Sequence, residues 1–200
     1  METKQDIQFM DKVIGALRKA VINLEEFQVK IALGKAEAED NYEEVKKKFN
    51  LFIHNTEFKI KGVKEDIEEL KSKFDELRVQ LALGKAETKE MFEKQKKELL
   101  LILHEIEVNI KSNKTLNRMY AYTLIEIEQF KIQLEILEQN YNSEKIEFKN
   151  MFEKGKHEFN SFIEKFKTRY SKSKEETKLE HFQNEISEAF VHFKKAFSNA

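Results

Sequence analysis

Two hundred residues, with 36 Lys+Arg against 37 Asp+Glu and no Cys, Pro or Trp, leave room for one domain with a sizeable core. They exclude disulfides, thiolate metal sites and cysteine nucleophiles together. A net charge of −1 offers no field for nucleic acid or an anionic membrane, while 40% hydrophobic and 36% charged residues argue against a disordered tail and for amphipathic helices.

The chain starts METKQDIQFMDK, polar and mixed in charge, without the apolar centre of a secretory signal. The longest apolar run, Leu99 to Leu103, is far short of the ~20 residues of a membrane span. A soluble, cytoplasmic protein is expected, and the Lys/Glu/Phe/Asn-rich composition suggests a bacterial one. A first helix over 4–60 is predicted from Ile7, Met10, Ile14, Leu17, Val21, Leu24, Ile31, Ala38, Tyr42, Val45, Phe49 and Phe52, a 3-4 spacing interrupted by Gln28 and Lys35. After a turn at Lys61-Gly62-Val63, the stripe Val63, Ile67, Leu70, Phe74, Leu77, Leu81, Gly84 and Met91, continued with a change of phase through Ile102 and Ile106, predicts a second helix over 64–111. Ser112 to Thr115 and Ser171 to Lys174 supply the next turns, giving a third helix over 115–170 and a shorter fourth over 175–198. Nothing alternates with period two. The expected fold is all-α, an elongated antiparallel helical bundle or coiled coil, with helices of about 50 residues and ~75 Å.

The chain also repeats itself. Ile31–Lys61 overlies Leu81–Lys111 at an offset of 50, with fourteen of thirty-one positions identical. A third, diverged copy over 131–171 matches at Lys131-Ile132-Gln133-Leu134 (offset 53) and Met151-Phe152-Glu153-Lys154 (offset 60). The seven-residue difference keeps the apolar face of a helix in place. Two placements of Gly34 and Gly84 compete. As turns they divide the chain into many short helices. As helical residues they cost only ~1 kcal/mol each and mark close helix contacts, near the level of Asn142 on the third helix. The second placement is the expectation.

Tests for chemistry fail one by one. Gly34-Lys35 and Gly84-Lys85 are followed by Ala and lack the first Gly of a phosphate loop. Three residues before His54, His104, His157, His181 and His192 stand Leu51, Leu101, Lys154, Lys178 and Ala189, so the Glu-x-x-His pairs of a di-iron bundle are missing. His-x-x-x-His is missing too. Carboxylates alternate with lysines along helix faces, which reads as solvated i,i+4 pairing. No catalytic, cofactor-binding or metal-binding residues are expected, and no enzyme. What stands out is 17 Phe. Phe182, Phe190, Phe193 and Phe197 cover more than one stripe of the short fourth helix, so they are expected to form an interaction surface for a second protomer, another protein or an amphiphile.

KAEAEDNYEEVKKKF (Lys35–Phe49) and KAETKEMFEKQKKEL (Lys85–Leu99) resemble bacterial stress-response coiled-coil hairpin proteins. The resemblance covers about two thirds of the chain and implies long antiparallel helices, no catalytic residues and no cofactor. The expected function is a non-catalytic scaffold or spacer acting through protein–protein interaction, as a homodimer or with another protein, with a link to stress. An amphipathic lipid- or granule-surface-binding protein, phasin- or apolipoprotein-like, is the alternative.

Overall fold

Each apolar stripe closes into helix, but the helices stop much sooner than the stripes do. The computed structural model describes residues 4–34, 37–60, 68–112, 120–141, 145–172, 185–191 and 193–194. Six helices follow in order: α1 (Lys4–Ala32), α2 (Ala38–Ile60), α3 (Glu68–Leu81), α4 (Lys89–Ser112), α5 (Ala121–Tyr141) and α6 (Lys145–Lys172). Residues 185–191, 193 and 194 are helical as well, and no strand occurs among the described residues. The fold is all-α.

The expected helices over 4–60 and 64–111 are therefore each broken in two, at 33–37 and at 82–88. Their ends are built locally. Gly34 takes φ +61°, the left-handed conformation that closes a helix C-terminus, and its N–H donates to the Ile31 carbonyl at 3.0 Å. The next helix starts with Glu39 and Asp40 in its first turn, favourable charges at the positive end of the helix dipole. At the second break the Leu83 N–H donates to the Gln80 carbonyl at 3.2 Å. Thr88 then caps α4, its Oγ1 accepting from the Met91 N–H at 3.2 Å. The turns expected at Gly62 and in 113–115, the stretch 142–144 within the expected third helix, and residues 173–174 lie outside the described residues.

Packing explains why the chain folds back rather than running on. Helices within proteins gain most of their stability from tertiary burial of an apolar face, and α5 supplies the surface. Ala121, Leu124, Ile125, Ile127, Phe130, Ile132, Leu134, Ile136 and Leu137 are all buried and lie all round the helix, the pattern of an element enclosed by others. Helices α1, α2, α4 and α6 touch it. A straight helix over 4–60 would bring only one half of its stripe to α5. Folded at Gly34, the chain brings both, and Phe49 of α2 stacks on Phe130 at 4.2 Å between ring centroids. Lys30 of α1 bonds Glu44 of α2, a contact that two halves of one continuous helix, about 21 Å apart along the axis at these positions, do not make.

Directions follow from paired contacts. As α1 advances from Arg18 to Glu25, its partners on α6 retreat from Glu164 to Lys156; those two helices are antiparallel. As α4 advances from Lys96 to Glu107, its partners on α5 retreat from Glu138 to Lys131. Helices α1 and α5 instead run in the same sense, with Phe9 against Tyr122 and Asn23 bonded to Gln129. The longest helix, α1, has 29 residues, about 43 Å. No helix among the described residues is long and apolar enough to cross a membrane.

Candidate functional site

The two broken repeats bring their turns side by side. Lys46 of α2, 1% exposed, donates from Nζ to the Leu83 carbonyl at 2.7 Å and pairs with Glu43 at 2.6 Å. Its ammonium also sits 4.6 Å from the centre of the Tyr42 ring, and Tyr42 meets Phe92 edge-to-face at 5.1 Å. Lys85 bonds Asp40 across the same seam at 2.6 Å. Burying an ammonium is costly unless its donors are used. Lys46 uses them on Glu43 and on the Leu83 and Gly84 carbonyls of the turn after α3, so the desolvated charge ties α2 to that turn.

Large apolar side chains stand exposed around these locked turns. Leu33 is 59% and Leu83 40% exposed, and Val29, Val79 and Met91 are exposed beside them. A shallow cleft of about 400 Å³ opens between α3 and α4, lined by Gln80, Leu83, Met91, Lys94, Gln95 and Glu98. Leu83 and Met91 are its apolar lining, and Gln80, Lys94, Gln95 and Glu98 its polar one. Single exposed apolar residues are ordinary; several gathered on the turns at one end are not.

The interior holds a second polar assembly. Lys131 of α5 lies 2.5 Å from Glu107 of α4 and 3.6 Å from Glu128. Glu128 also pairs with Lys194 of the C-terminal segment at 2.7 Å. Burial pushes the Glu107 carboxyl up, with the neighbouring Glu128 adding to the shift and Lys131 opposing it. Burial acts on Glu128 too, but Lys194 and Lys131 together outweigh it and hold that carboxyl below its usual range. A third buried lysine, Lys96, reaches Glu135 at 3.0 Å and Glu138 at 2.7 Å. These pairs tie α4 and the C-terminal segment to α5.

Several expected site residues are placed differently. Gly34 and Gly84 are exposed in turns, and a Cβ added to either meets nothing within 4 Å; they are not close helix contacts. Phe190 and Phe193 are fully buried, not an exposed surface. Phe159 of α6 meets Phe190 edge-to-face at 4.7 Å, and Phe152 meets Phe193 at 5.3 Å. The chain's own α6 covers the surplus apolar face. Phe182, Phe197 and Asn142 lie outside the described residues. His54 and His104 are exposed, and no group of metal-ligating side chains forms among the described residues. Sequence reasoning missed Lys46, Lys96 and Lys131, whose only advance signal is that Lys46 and Lys96 stand fifty residues apart within the repeat. In comparisons with known proteins, no family model, no curated protein and no solved structure matches this chain.

Proposed function

We propose that the chain is a non-catalytic interaction module, a bundle of three successive helix pairs (α1–α2, α3–α4 and α5–α6) that self-associates through the end carrying Gly34 and Gly84. The observation that carries this reading is the exposure of Leu33 and Leu83 in the two turns, with Val29, Val79 and Met91 exposed on the helix ends that flank them. Both turns carry the same Ala-Leu-Gly-Lys-Ala-Glu sequence, so the end presents one apolar motif twice. A surface built that way suits the two-fold contact in which the same patch meets itself. The buried lysines Lys46, Lys96 and Lys131 are each paired with carboxylates of the chain itself, which favours a structural role over a catalytic one.

Light scattering on the purified chain at tens of micromolar tests the reading. The expected mass is twice 23.9 kDa for the wild type, and a monomer mass for Leu33→Ser/Leu83→Ser/Met91→Ser with its helix content retained. A wild type that stays monomeric at several hundred micromolar refutes self-association. A variant that still dimerises refutes the surface.

A further inference from the structure

The cleft between α3 and α4 has a counterpart in the first repeat, and the differences between the two are differences of charge. Fifty residues before its lining stand Lys30, Leu33, Asn41, Glu44, Val45 and Lys48. There Lys30 of α1 bonds Glu44 of α2, and Glu44 also pairs with Lys48 at 2.7 Å. That chain of charges ties α1 to α2. In the second repeat Gln80 stands for Lys30 and Lys94 for Glu44, so no ion pair can bridge α3 and α4 at that level. Met91 stands for Asn41 and is 43% exposed where Asn41 is 1%.

The two faces are thus alike in what is apolar and opposite in what is charged. Val29 and Val79, Leu33 and Leu83, and Leu51 and Leu101 are repeat counterparts, and all six are exposed. Glu44 and Lys48 are answered by Lys94 and Glu98. Glu44 is 43% and Lys48 73% exposed, and Lys94 and Glu98 are exposed as well. Positions 44, 48 and 51 fall on one stripe of α2, as 94, 98 and 101 do on α4.

Laid parallel, the first repeat of one copy meets the second repeat of another with Glu44 opposite Lys94, Lys48 opposite Glu98 and leucine opposite leucine. A two-fold axis running along the helices, in the seam where Lys85 bonds Asp40, makes this contact twice. The other two-fold choice sets each repeat antiparallel against itself. It also opposes Lys94 to Glu98, but it places exposed Leu51 against the position of buried Asn41. It also carries the turns of one copy past the middle of the other's α2 and α4, away from its turns. We infer that the chain pairs with a parallel second copy, first repeat against second, through Glu44 and Lys48 on one and Lys94 and Glu98 on the other; this rests on the self-association proposed above.

Two charge-inverted variants test it by light scattering near the wild-type dissociation constant, with helix content followed by circular dichroism. One is Lys94→Glu/Glu98→Lys. The other is Lys30→Glu/Glu44→Lys/Lys48→Glu, which keeps the internal bridge of the first repeat with its signs exchanged. Each alone sets like charges together in both contacts, and is expected to associate roughly tenfold to a hundredfold more weakly than wild type. An equimolar mixture restores opposite charges in one contact and leaves the other as in wild type, so the mixture should return to twice 23.9 kDa. Wild-type association of Lys94→Glu/Glu98→Lys alone overturns the inference, because it is what antiparallel pairing gives, and it leaves self-association standing. A mixture no heavier than its components overturns the inference too. A monomeric wild type refutes the self-association itself, and this pairing with it.

Discussion

Replacing the two repeat-equivalent glycines by alanine separates two architectures by sign. If Gly34 and Gly84 sat within long helices, each change to Ala would stabilise the chain by about 1 kcal/mol, the helix-propensity difference. The observed turns predict something else. Gly34 has φ +61°, which costs an L-residue roughly 1–2 kcal/mol, while Ala also restricts the unfolded chain and returns about 0.4–1 kcal/mol. A Cβ there meets nothing within 4 Å, so no clash adds to the cost. Gly34→Ala should be destabilising by about 1 kcal/mol. Gly84 has no positive φ and equally open surroundings, so Gly84→Ala keeps only the unfolded-state gain of about 0.4–1 kcal/mol. In a chain of this size 1 kcal/mol moves Tm by ~2–4 °C. Thermal melts followed by circular dichroism should show Gly34→Ala lower and Gly84→Ala higher than wild type. Gly34→Asn, which tolerates the left-handed region better, should fall between. Two equal increases would refute the turn at Gly34 and reinstate the long helix.

The buried lysines should also part company despite their repeat relationship. Lys46→Met removes the buried charged donor to the Leu83 carbonyl and the partner of Glu43, and should cost about 1.5–3 kcal/mol in urea denaturation. Lys96→Met leaves Glu135 and Glu138 at 29% and 27% exposure, able to hydrate, and should cost about 1 kcal/mol or less; equal losses would count against the capping role of Lys46. Burial pushes Tyr120 up to about 12. Its ionised form is penalised in the folded state, so between pH 10 and about 12 the unfolded chain loses protons first and stability falls as pH rises. Phenolate absorbance should show a late component that Tyr120→Phe removes, and a titration complete by pH 11 would contradict the burial.

The all-α fold was legible because the 3-4 spacing persists for most of the chain. The breaks were not. A single Gly costs too little to end a helix by itself, and no Pro marks the site, so what decides at Gly34 is a surface on α5 about a hundred residues away. Part of that surface is visible in advance: Leu124, Ile125, Ile127, Phe130, Ile132, Leu134, Ile136 and Leu137 fit no single stripe, which is how an enclosed helix reads. The Phe-rich C-terminus shows the opposite failure. A face too apolar for one stripe reads as exposed in sequence, yet Phe152 and Phe159 of α6 supply its cover. Buried lysines were hidden by composition, because dozens of Lys and Glu residues look alike until tertiary partners select a few.

Enclosure of α5 also sets a timetable for synthesis. Helix α1 ends at Ala32 and α5 begins at Ala121, so nearly ninety residues must be added before α1 meets the helix that covers its stripe. At ribosomal speeds of about 5–20 residues per second, that is roughly 4–18 s during which Leu17, Val21 and Leu24 have no native partner on α5. The α3–α4 pair, joined by a short turn, needs no such wait. The nascent chain thus holds both members of its middle helix pair while its first helix still lacks α5.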